Sequence, residues 1–85
     1  MTEKQIEQIR NLFSYKGFNH CEVYPSPCYT SCYFVGPSYC DLVWIDIVSV
    51  GDTFNVKWLY RGQKSAFEKT NIKFSDVKKI VKGYQ

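Results

Sequence analysis

Apolar residues recur along the chain in two different periods, and the change of period divides it into elements. Ile6, Ile9, Leu12 and Phe13 fall at helical spacing. Thr2 with Gln5 forms a capping-box pair ahead of them: the hydroxyl accepts from the third amide of the helix and the glutamine reaches back. A helix is therefore predicted from Thr2 to about Tyr15, with Gly17 placed to end it in the left-handed conformation. The stretch FNHCEVY (18–24) is weakly alternating and β-leaning, and Pro25 and Pro27 then interrupt any ladder. YTSCYFV (29–35) is rich in strand formers and runs into the turn signal Gly36-Pro37.

The clearest pattern is DLVWIDIVSVGDTFNVKWLY, residues 41–60, where two strand-like runs flank Gly51-Asp52. A two-residue loop at that site fixes the register, because pairing proceeds outward from Val50 opposite Thr53. Ile47 then faces Val56, Ile45 faces Trp58 and Val43 faces Tyr60, all on one apolar side. The other side pairs Asp46 with Lys57, Trp44 with Leu59 and Val48 with Asn55. Opposite charges meeting at mid-hairpin support that register independently of the turn.

After the turn RGQK, the run SAFEKTNIKF reads as a short edge strand, although Ser65 with Glu68 also has the form of a helical cap. Ser75 is then expected to cap a last helix with Val77, Ile80 and Val81 on one side and Gly83 as its stop. The result is an α+β fold: a single domain, residues 1–85, with an antiparallel sheet of three to five strands between an N-terminal and a C-terminal helix.

Composition modifies this picture in three respects. A chain of 85 residues has a small core, and the 18% aromatic content offsets that because each large ring buries much area. No run approaches the roughly 18 apolar residues of a membrane span. The start MTEKQIEQIR has no apolar signal-peptide region, so a cytoplasmic, thiol-reducing location is expected. Charge is unevenly divided. Residues 1–52 hold three basic and six acidic side chains and residues 53–85 eight and two, giving −3 and +6 within a total of +3.

Candidate chemistry concentrates in CEVYPSPCYTSCYFVGPSYC, residues 21–40, which holds all 4 cysteines and all 3 prolines. Zinc needs four ligands at about 2.0–2.3 Å. The candidates are Cys21, Cys28, Cys32, Cys40 and His20, and no CxxC knuckle joins them. In a strand, Cys28 and Cys32 stand roughly 13 Å apart at about 3.3 Å per residue, too far for one metal ion or a disulfide. The cysteines therefore read as reduced, buried, apolar groups, without metal or other cofactor. His20 and Cys21 are adjacent and would point to opposite faces of a strand, which disfavours a catalytic pair. No nucleotide-binding or protease motif is present, so no catalytic residue is assigned. Tyr24, Tyr29, Tyr33 and Tyr39, with the prolines, suit a rigid, irregular, aromatic-lined interface.

The functional expectation is a non-enzymatic protein-binding module, of the adaptor or inhibitor kind that phages and mobile elements encode. Its contacts are expected at Trp44, Leu59, Leu42, Val48, Tyr29 and Tyr33, with another protein or a second copy of the chain as partner and no role for a membrane. The alternative is nucleic-acid binding through Lys64, Lys69, Lys73, Lys78, Lys79 and Lys82 in the basic C-terminal third.

Overall fold

A computed structural model describes residues 2–14, 20–25, 29–36, 38 and 41–83. The elements run in the order α1 (Glu3–Ser14), β1 (His20–Pro25), β2 (Tyr29–Val35), β3 (Leu42–Val50), β4 (Thr53–Tyr60), β5 (Phe67–Ile72) and α2 (Phe74–Lys82). The five strands form an antiparallel meander in the order β1-β2-β3-β4-β5. This is the α+β architecture expected, with the strand number at the upper end and the SAFEKTNIKF run as an edge strand.

α1 begins as its sequence dictates. Thr2 N–H donates to Gln5 Oε1 at 3.0 Å and Gln5 N–H donates to Thr2 Oγ1 at 3.1 Å, so two orphan amides are satisfied reciprocally. Gly17 lies outside the described residues. α2 begins differently from expectation. Its cap position is Lys73, whose N–H donates to the Asp76 carboxylate at 3.4 Å, and Ser75 already lies inside the first turn. The carboxylate in the first turn accepts a backbone amide and also complements the helix dipole, so a serine cap is not needed. Gly83 does occupy the closing position, but in right-handed backbone (φ −61°) rather than left-handed.

The β3–β4 hairpin keeps the expected register over most of its length. Val50 pairs with Thr53, Val48 with Asn55, Ile47 with Val56, Asp46 with Lys57, Ile45 with Trp58 and Trp44 with Leu59. Gly51 takes a φ of +61°, the conformation its place in the loop requires. The far end departs from expectation. A bulge between Leu42 and Trp44 makes Val43 the extra residue, and Leu42, not Val43, stands opposite Tyr60. Leu42 is thereby turned into the core, where it is only 2% exposed. A second bulge, on the β4–β5 side, is held by Asn71. It adopts a φ of +59°, which asparagine tolerates, and donates its N–H to Asn55 Oδ1 at 3.0 Å.

The cysteine-rich stretch is more regular than its prolines suggest. β1 and β2 pair from His20 opposite Val35 to Pro25 opposite Thr30, so Pro25 closes a strand instead of starting an irregular connection. Cys28, Tyr39 and Cys40 lie outside the described residues, as do the side chains of His20, Cys21, Tyr24 and Tyr29.

Both helices pack on one face of this sheet. Phe13 of α1 meets Phe34 of β2 with ring centroids 4.3 Å apart, and Phe74 of α2 meets Phe54 of β4 at 5.5 Å. Between them lies a single core of Ile9, Cys32, Ile45, Ile47, Val56, Val77 and Val81, all effectively sealed from water. Strand alternation commits the opposite set of side chains to the other side of the sheet.

Candidate binding face

The face turned away from the helices is built by Tyr33 and Val35 of β2, Trp44, Asp46, Val48 and Val50 of β3, Asn55, Lys57 and Leu59 of β4 and Glu68 of β5. The strand registers arrange these residues as rows running across the sheet. One row reads Val35, Trp44, Leu59 and is wholly apolar. The next reads Glu22, Tyr33, Asp46, Lys57, Glu68 from one edge strand to the other. A third row places Ser31 beside Val48 and Asn55.

The aromatic centre lies between the first two rows. The rings of Tyr33 and Trp44 are 6.1 Å apart and inclined by 28°, a stacked pair formed diagonally across neighbouring strands. Tyr33, Trp44, Val48 and Leu59 are all half-buried, whereas Val35 is 38% and Val50 47% exposed. A continuous apolar strip of this kind, rimmed by charge, differs from the scattered single apolar residues of an ordinary surface.

The charged row is not wired as the sequence implied. Asp46 and Lys57 are cross-strand neighbours, yet Lys57 Nζ lies 3.7 Å from Glu68, with both side chains about half exposed (56% and 49%). Asp46 Oδ1 instead accepts a hydrogen bond of 2.8 Å from the Ser31 hydroxyl. Ser31 is only 8% exposed, so a nearly buried donor holds the half-buried carboxylate in place. Beside it is a hollow of about 250 Å³, lined also by Val48, Asn55, Lys57 and Glu68.

Of the residues singled out for protein binding, Trp44, Leu59, Val48 and Tyr33 share this face. Tyr29 pairs with Val50 in the backbone register, and its side chain lies outside the described residues. Leu42 does not belong there, since the bulge buries it in the core. Asp46 and Val50 take their places on the face through the hairpin register, whereas Val35 and Ser31 join it through the β2–β3 register, which the sequence pattern did not give.

The lysines of the alternative reading lie elsewhere. Lys64 is in the β4–β5 connection, Lys69 is on β5, and Lys73, Lys79 and Lys82 are exposed around α2. Lys78 is half-buried, with its ammonium 5.4 Å from the Phe74 ring centroid. It is therefore Lys79 and Lys82 that share the solvent side of the helix, and Lys78 leans on the ring. Cys32 is sealed in the core. The register sets Cys21 opposite Phe34 and Val23 opposite Cys32, two places out of line for a cross-strand bridge. Among the described residues, no three His, Cys, Asp or Glu side chains converge as metal ligands, and no helix is long and apolar enough to cross a membrane.

No protein-family model matches the chain, and neither a curated protein nor a solved structure is significantly similar to it.

Proposed function

We propose that the chain is a non-enzymatic protein-binding module whose contact surface is the helix-free face of the sheet. The observation that carries this reading is the placement of both helices on the other face, which leaves the Tyr33–Trp44 stack and the Val35-Trp44-Leu59 row only partly buried. A small domain gains stability by burying tryptophan, and this one has a second tryptophan, Trp58, inside its core. Leaving Trp44 at a charge-rimmed surface is the arrangement found at interface hot spots: a rigid aromatic anchor with apolar neighbours and a polar rim. The partner is another protein, in the manner of an adaptor or inhibitor.

A second reading, nucleic-acid binding, draws support from the collection of Lys73, Lys79 and Lys82 around α2, on the helical side of the domain. The two surfaces are separable, so one experiment addresses both. Affinity capture from native cells is compared for the wild type, Leu59→Glu and the double change Lys79→Glu/Lys82→Glu, each with and without nuclease. The sheet-face reading requires that Leu59→Glu removes the captured protein and that the lysine reversal and nuclease leave it in place. Loss of capture on nuclease treatment and on lysine reversal, with Leu59→Glu unaffected, favours nucleic acid.

A further inference from the structure

The wiring of the charged row indicates what kind of side chain the face receives. Asp46 is half-buried, and among the described residues no cation lies within ion-pair distance of it, because Lys57 is directed to Glu68. A half-buried carboxylate without a countercharge costs stability, and a single hydroxyl partner offsets that only partly. The Ser31 hydrogen bond occupies Oδ1, and a carboxylate has further acceptor positions. Tyr33 is the direct cross-strand neighbour of Asp46, and Trp44 precedes it by two residues on the same strand, so both aromatic residues occupy positions next to Asp46 on this face. The 250 Å³ hollow borders Asp46 towards β4 and β5.

We propose that the helix-free face recognises its partner through an arginine side chain, with the guanidinium laid against the Tyr33–Trp44 stack and hydrogen-bonded to Asp46. This inference rests on the reading of that face as a protein-binding surface and specifies the chemistry of its partner. Three features select arginine. The aromatic faces attract a cation, and a planar guanidinium stacks on them more effectively than an ammonium does. The carboxylate is pre-oriented by a nearly buried donor, which favours a fixed, charge-assisted hydrogen bond. Asp46 and Glu68 outnumber Lys57 around the hollow, so its balance is negative. The apolar row alongside then takes the aliphatic neighbours of that arginine in a basic, amphipathic partner segment.

The test is a titration of the full chain, followed by amide and indole NMR signals, with the peptide acetyl-Leu-Arg-Leu-amide and its neutral citrulline counterpart. The arginine peptide is expected to shift the Trp44 indole and the Ser31 and Asp46 amides saturably, with the citrulline peptide about tenfold weaker. Asp46→Asn retains an acceptor for Ser31, so the fold is kept while the preference for arginine disappears. Equal shifts from the two peptides, or no shift at these positions, overturn the proposal. The thermal melt of Trp44→Ala separates this failure from failure of the parent reading. A native-like melt with no arginine preference leaves the binding face standing and removes the arginine. A collapsed melt removes both, because Trp44 is then core.

Discussion

Tyr33 and Trp44 stack on each other at 6.1 Å and 28° on a sheet face to which neither helix contributes a residue. Trp44 is thus oriented by a neighbouring strand and not by a packed helix. Such a ring is partly exposed yet pre-positioned, which lowers the entropy lost when a partner covers it. If the stack does this, the two rings are energetically coupled. A double-mutant cycle with Tyr33→Ala and Trp44→Ala in chemical denaturation should give a coupling of about 0.5–1.5 kcal/mol. Additive effects would mean that the rings are merely adjacent.

The β3 bulge makes a prediction that distinguishes two consecutive residues. Leu42 is sealed and Val43 only half-buried, so Leu42→Ala should cost about 2–5 kcal/mol. Val43→Ala should cost distinctly less. The regular register expected from the turn alone predicts the reverse order, so paired denaturant melts decide where the extra residue sits.

The helix starts provide a control within one molecule. Thr2→Ala removes one half of a reciprocal cap and should cost about 1 kcal/mol. Ser75→Ala should be nearly silent, because Lys73 and Asp76 occupy the capping positions, whereas Asp76→Ala should cost more than Ser75→Ala. A large loss at Ser75 would place the cap where the sequence pattern first puts it.

These comparisons show which features were legible in the sequence. Elements with a strong local signal were read correctly: the capping box of α1, the Gly51-Asp52 turn and the hairpin register that follows from it. The bulge was not readable, because Leu42, Val43, Trp44 and Ile45 are all apolar and alternation cannot tell which of them is the extra residue. The α2 start was misplaced because serine is the commoner cap, and the signal of Asp76 reaching back to residue 73 was passed over. Trp44, Leu59 and Val48 could be assigned to one face from the hairpin alone. The sequence did not determine which face the helices would choose. That choice depends on tertiary packing, in which Phe13 and Phe74 land on Phe34 and Phe54. Nor did it give the Ser31–Asp46 bond, because the Gly36-Pro37 signal marks a turn after β2 without fixing the register of β2 on β3.

The central claim is that Trp44 belongs to a surface, and one melt tests it most directly. Trp44→Ala should lower stability by less than about 2 kcal/mol in a thermal or denaturant melt, since its ring is only partly buried and what is lost is mainly the contact with Tyr33. A loss of about 3–5 kcal/mol, the cost of removing a packed aromatic from a core, would contradict the claim and return the face to the interior of the protein.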